Sequence, residues 1–258
     1  MPISIYFKVR VLILKYRKYE VALEYEQNSI FNDLGLDRLL GLKLINQICQ
    51  NNFEYKYSED NGMFSEHLIA MGSISKKFKN FSKILEIGTF DGRSAIILAD
   101  LFKDAAITTI DLPSDSDNYK DIYLRDSSNQ RFIKKRNSLL SKCERINFKE
   151  MNSINLTKFD NKSFDFIWID GAHGYPVVAI DIINASRLIK DGGIIMLDDV
   201  HKFVRKSDKM YSSIASYEVL KALKEARLIS DFTLLRKRLG ARYNVKRFTE
   251  KFVGIVKF

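Results

Sequence analysis

The sequence predicts an α/β protein, a doubly wound and mostly parallel sheet of seven strands with a helical extension ahead of it. Three observations carry this reading. From Lys83 onward, short apolar runs rich in β-branched residues alternate with longer segments of helical periodicity, the pattern of parallel strands covered on both faces. A glycine-bounded turn, Gly88-Thr89-Phe90-Asp91-Gly92, separates the first run from the first helix of the series. Acids close three of the runs, Asp111, Asp170 and the pair Asp198-Asp199, where the carboxyl ends of adjacent strands meet at one crevice in an open α/β sheet.

Residues 1–62 are predicted as the helical extension. Between Ile3 and Tyr16 the apolar residues fit a strand and a helical face equally well, and both readings stay open. Leu34 to Gln50 has helical spacing, and Phe64 to Ala70 begins another helix. Residues 63–258 hold the sheet domain, with strands predicted at Ile84 to Ile87, Ile107 to Ile110, Ile146 to Lys149, Phe164 to Ile169 and Gly193 to Leu197. Helices are predicted at Arg93 to Phe102, Ser127 to Leu140, Val177 to Ile189 and Ile214 to Leu228, and a closing hairpin at Phe232 to Leu235 and Phe252 to Val256. The stretch 112–144 is long for a connection between strands and rich in charge, which reads as a lid or substrate-shaping insertion.

With 258 residues, 46% of them hydrophobic, the chain can bury one sizeable core, and only 3 Pro and 12 Gly leave no flexible tether between independent domains. Cys49 and Cys143 lack the spacing of a zinc or redox pair, so a reducing, cytoplasmic setting is expected. The longest apolar runs, such as Val11 to Leu14, are too short to span a bilayer, and no small-residue cleavage site follows that run. The formal charge of +10 suits phosphate-rich partners, anionic surfaces or acidic glycans, and equally suits plain solubility. The basic residues are scattered and form no aromatic-interleaved stripe, which argues against nucleic acid as the partner. Nothing in the sequence sets the oligomeric state, and a homo-oligomer is compatible with it.

The glycine turn does not have the G-x-G-x-x-G spacing of a pyrophosphate-binding loop, which argues against a nicotinamide or flavin enzyme. Asp111, a little over twenty residues past Gly88, is suited to accept hydrogen bonds from two ribose hydroxyls. Together, E-I-G-T-F-D-G-R-S, Ile110-Asp111, I-D-G-A-H-G-Y and L-D-D-V resemble the class I S-adenosylmethionine-dependent methyltransferases. More narrowly they are similar to the metal-dependent O-methyltransferases of the catechol and caffeoyl-CoA type and of the macrolide sugar type. The likeness runs from about Glu66 to Val200 and fades on either side.

The resemblance implies that Glu86, Gly88, Phe90, Asp91, Gly92 and Ser94 hold the methionine end of the cofactor. It further implies that Asp111 holds the ribose, that Asn152 or Ser153 lies near the adenine, and that Asp170 borders both cofactor and acceptor. Three converging carboxylates repel one another unless a cation or protons intervene, and an all-oxygen set suits Mg²⁺. Asp170, Asp198 and Asp199 are therefore the expected metal ligands, Asp199 standing where relatives commonly carry Asn. The bland alternative is that Asp198 or Asp199 caps the following segment and Asp170 accepts backbone hydrogen bonds.

His173, three residues past Asp170, fits a fourth ligand, a structural histidine or a general base; the preference of Mg²⁺ for oxygen favours the base. The sugar-type enzymes carry His at the matching position and the catechol type Lys, which inclines the expected acceptor toward a saccharide or other aliphatic hydroxyl. Phe90, Trp168 and Met196 are candidate apolar walls, and His201 is expected at the surface. The expected activity is thus Mg²⁺-dependent O-methylation of a small molecule or saccharide, the alternative being a metal-independent methyltransferase acting on RNA or protein.

Overall fold

The computed structural model describes residues 20–59, 66–117, 129–204, 212–238 and 251–258. They divide into two compact units, one drawn from Met1–Ile74 and Leu235–Lys251, the other from Ser75–Leu234 and Phe252–Phe258. The strand-or-helix question at Ile3 to Tyr16 lies outside the described residues, as do the middle of the expected lid and Ser127.

In the first unit, α1 covers 20–33 and α2 covers Arg38–Phe53. The helix predicted from Leu34 begins later because Leu34 and Gly35 form a turn, and Asp37 caps α2 by accepting from the Leu40 N–H at 2.9 Å. Helix α3 spans Glu66–Lys77, and its start passes α2 closely at Gly41, where an added Cβ would lie 2.3 Å from the Ile69 carbonyl oxygen. Buried Arg38 pairs with buried Glu66 at 2.9 Å and with Glu59. Arg238 joins the same group, 3.5 Å from Glu66 and 3.0 Å from Glu20. The sequence reading missed this grouping of a C-terminal segment with the N-terminal helices, since ion pairs between residues some 200 positions apart leave no local periodicity.

The second unit carries the sheet. Strands β1 (Lys83–Ile87), β2 (Ala106–Asp111), β3 (Ile146–Glu150), β4 (Phe164–Ile169), β5 (Ile189–His201), β6 (Phe232–Arg236) and β7 (Lys251–Lys257) stand in the order β3-β2-β1-β4-β5-β7-β6. The first five run parallel. The helices are α4 (Arg93–Leu101), α5 (Asn129–Leu140), α6 (Val177–Leu188) and α7 (Ala215–Glu225), with a 3₁₀ turn at Ser153–Lys158 between β3 and β4. Helix α5 occupies the later part of the charged connection after β2 and packs against α4.

Leu85, Ile87, Ile167, Ile169, Ile195 and Leu197 present one face of the sheet to α6 and α7, meeting Val178, Ile182, Ala185 and Leu220 in a core less than 4% exposed at each position. Full burial of each such side chain contributes roughly 1.5–3 kcal/mol, which outweighs the intrinsic propensity of any one segment. On the opposite face, Phe102 of the α4 C-cap lies over Phe166 with ring centroids 5.7 Å apart. Strand β5 is longer than predicted at both ends: Ile189 already pairs with Phe164, and the strand continues through Asp198 and Asp199 to His201. Gly192 and Gly193 lie inside that strand, the Gly192 N–H donating to the Phe258 carbonyl at 2.6 Å and the Gly193 carbonyl accepting from the Phe258 N–H at 3.0 Å.

Candidate functional site

The carboxyl ends of β2, β1 and β4 meet as the strand order requires. At the end of β1 the Gly88 and Thr89 N–H groups both donate to the Ile110 carbonyl, at 2.9 and 3.2 Å, which bends the chain over β2. Gly88 has φ +102, and a Cβ there would sit 2.2 Å from the Asp170 carbonyl oxygen, so only glycine admits β4 this close. The Gly92 N–H closes the turn on the Thr89 carbonyl at 2.9 Å, and Gly92 then caps α4 with φ +82. Asp91 accepts from the Arg93 N–H at 3.1 Å and pairs with the Arg93 guanidinium at 3.3 Å.

Asp111 is buried and organises the turn: one carboxylate oxygen accepts from the Phe90 N–H and the other from the Leu112 N–H, each at 2.9 Å. Phe90 takes φ +48 in consequence, and its ring, 43% exposed, tilts against Phe132 at 5.5 Å between centroids. Beneath the turn, Glu86 is fully buried and its carboxylate accepts from the Thr109 hydroxyl at 2.5 Å, which in turn lies 2.6 Å from the Thr89 hydroxyl. Burial pushes the Glu86 carboxyl up to about 7, opposed by hydrogen bonds from Ser94 and Thr109. Glu86 and Ser94 thus meet in the floor of the turn. Thr89 and Thr109, which the sequence reading passed over, complete that floor; their signal was a pair with polar residues on both strands, Glu86 beside Thr109, in the parallel register of β1 and β2.

At the end of β3, Asn152 caps the 3₁₀ turn by accepting from the Ile154 N–H at 3.0 Å, and Ser153 is the first residue of that turn. Asp170 follows β4, its N–H donating to the Ile87 carbonyl at 2.8 Å, and its carboxylate stands 3.9 Å from the His173 Nε2. Ile169 pairs with Leu197, so Asp170 and Asp198 succeed one another at the same level of neighbouring strands.

Several expectations change here. Asp198 and Asp199 lie within β5 and are only 7% exposed, with Asp199 in the left-handed region at φ +48. Among the described residues no three His, Cys, Asp or Glu side chains gather into a group that would hold a metal ion, so the expected Asp170, Asp198 and Asp199 set is not assembled in this arrangement. Strand register brings backbones to one level; it does not turn three carboxylates toward one point. Trp168 and Met196 are completely buried in the sheet and line no crevice, whereas Phe90 is open to it. His201 is 3% exposed, not at the surface, because β5 runs on through it. No described helix is long and apolar enough to cross a membrane.

Residues 85–200 match the sequence family described as a methyltransferase domain. No curated protein matches the chain. Among solved structures, a candidate O-methyltransferase from Klebsiella pneumoniae is similar, with a TM-score of 0.52, 16% identity, and 90% of this chain and 94% of that one covered. A candidate caffeoyl-CoA O-methyltransferase from Staphylococcus aureus gives a TM-score of 0.51 at 16% identity, over 92% of this chain and 100% of the other. At such identity the likeness is one of fold.

Proposed function

We propose that this chain, whose residues 85–200 match a methyltransferase-domain family, is an S-adenosylmethionine-dependent methyltransferase that acts on a hydroxyl of a small molecule, a saccharide or similar aliphatic alcohol. The observation that carries the proposal is the convergence of the Gly88 turn, Asp111, and the Asp170–His173 pair at one edge of the sheet. In this reading the Gly88 turn admits the methionine end of the cofactor close to the backbone, with Asp91, Gly92 and Ser94 behind it and Glu86 beneath. Asp111 has lone pairs left for the ribose hydroxyls after taking its two backbone N–H groups. Phe90 supplies an apolar wall, and Asn152 and Ser153 border the adenine.

The chemistry is in-line displacement. The acceptor oxygen forms a bond to the methyl carbon as the carbon–sulfur bond breaks, leaving S-adenosylhomocysteine, and the hydroxyl proton passes to His173. The Asp170 carboxylate, 3.9 Å from the imidazole, orients it and stabilises the cation once formed. The preference for a saccharide-type hydroxyl rests on His173, which matches the sugar-type enzymes in the resemblance.

A divalent ion is implied by that same resemblance, but the acids present do not fit one as they stand, and no step above runs through a metal. Methyl transfer measured with a panel of hydroxylated acceptors is expected to survive excess EDTA within about twofold, since a metal that activates the hydroxyl supplies far more than that. Loss of activity restored by Mg²⁺ would show that Asp170, Asp198 and Asp199 regroup around an ion, and turnover on RNA or protein alone would overturn the small-molecule acceptor.

Asp111 gives the direct test of the cofactor crevice. By calorimetry, Asp111→Ala is expected to weaken S-adenosylhomocysteine binding by about 1.5 to 3 kcal/mol, the range for hydrogen bonds to a charged group. Unchanged affinity would remove the crevice from consideration.

A further inference from the structure

Helix α6 carries one residue that the chemistry above does not use. Asp181 is 0% exposed, and among the described residues neither of its carboxylate oxygens has a hydrogen-bond partner. It lies between two segments of the crevice. A Cβ built on Gly171, the residue after Asp170, would stand 3.7 Å from the Asp181 Oδ2. On the other side is the Ser153 hydroxyl, whose nearness favours the charged carboxylate. The 3₁₀ turn that Ser153 opens packs directly against α6.

A buried carboxylate without donors costs stability, and an apolar residue of similar size would serve the α6 core better, surrounded as it is by Val178, Ile182 and Ala185. Burial pushes the Asp181 carboxyl up to about 6, the Ser153 hydroxyl opposing the shift. The two segments facing the acid are those that carry Asn152 and Ser153 on one side and Asp170 and His173 on the other. Its donor is therefore to hand in the crevice wall and needs only to be aligned.

We propose that Asp181 is a positioning residue for the nucleoside end of the cofactor: it accepts the Ser153 hydroxyl when the crevice closes on its ligand and so fixes the segment after β3 against the adenine. This rests on the reading that the crevice over Gly88 and Asp111 holds the cofactor. A residue with only a structural role would lose stability when replaced; a positioning residue that is unsatisfied in the free protein loses affinity while stability holds or rises.

The test is calorimetric titration with S-adenosylhomocysteine, with thermal melting, on the wild type, Asp181→Asn, Asp181→Leu, Ser153→Ala, the Asp181→Asn/Ser153→Ala double variant and Asp111→Ala. Both Asp181 variants are expected to raise Kd by about tenfold, to raise KM for S-adenosylmethionine more than they lower kcat, and to melt at or above the wild-type temperature. The double variant should bind no more weakly than the worse single one, because the two residues act as a unit. Kd within about twofold of wild type for Asp181→Asn, or a fall in melting temperature or loss of folding in that conservative variant, would overturn the proposal. If Asp111→Ala also leaves Kd unchanged, the crevice assignment itself fails; if Asp111→Ala weakens binding and Asp181→Asn does not, only the role of Asp181 fails.

Discussion

Replacing His173 with alanine is expected to lower turnover by about 10²- to 10⁴-fold, the usual contribution of a positioned general base, with cofactor affinity nearly intact. The imidazole is mostly buried in the turn after β4, its Nε2 3.9 Å from the Asp170 carboxylate. It stands beside Asp170 after β4, whereas Asn152 and Ser153 follow β3, so Kd for S-adenosylhomocysteine should not follow the rate. Three measurements on the one variant separate the roles a histidine has here. A fall in rate alone marks a base. A fall in melting temperature of the same size as that of a core variant marks a structural residue. A wild-type rate across neutral pH removes His173 from the mechanism and leaves the acceptor to ionise by other means.

Gly88→Ala is expected to have the largest effect on the fold. The new Cβ would meet the Asp170 carbonyl oxygen at 2.2 Å and its carbonyl carbon at 2.6 Å, both backbone atoms. They have no freedom to yield, because the Asp170 N–H is already bonded to the Ile87 carbonyl at 2.8 Å. The backbone at φ +102 adds its own strain for any residue with a side chain. Clash and strain together should cost about 3 to 5 kcal/mol, a drop in melting temperature on the order of 10 °C for a domain of this size, with cofactor binding lost. Gly192→Ala is the control. Its φ is +79 but nothing lies within 4 Å of the added Cβ, so only the backbone term remains, about 1 kcal/mol. Equal losses at the two positions would show that the close approach of β1 and β4 is not what Gly88 provides.

The strands and helices of the parallel sheet are legible in the sequence itself. Strands β1 to β4 lie within a residue or so of where the β-branched runs put them, and α4 and α6 start where the sequence reading began them, because burial on both faces leaves a continuous apolar signature. Boundaries set by single side chains or by pairing were less visible. Asp37 moves the start of α2 past the apolar Leu34 and Leu36, and pairing with β4 and Phe258 draws Ile189 to Gly192 into β5 ahead of the predicted start at Gly193.

Within the candidate site, the sequence by itself determined which residue types stand at the carboxyl ends of the strands: glycine after β1, an acid ending β2, another after β4, and a histidine three residues beyond. Those positions follow from strand length and period alone, which are local properties. The tertiary structure decided where the side chains point and what they meet. It engaged Asp111 with the turn backbone, buried Glu86 on two hydroxyls, took Trp168, Met196 and His201 into the interior, and kept three aspartates from gathering at one point. It also set Asp181, an acid in a helix, between two segments of the crevice with no hydrogen-bond partner among the described residues. The physical reason is that hydrogen bonding and desolvation depend on atoms within a few ångströms, whichever part of the chain supplies them, whereas sequence periodicity records only the face on which a residue lies.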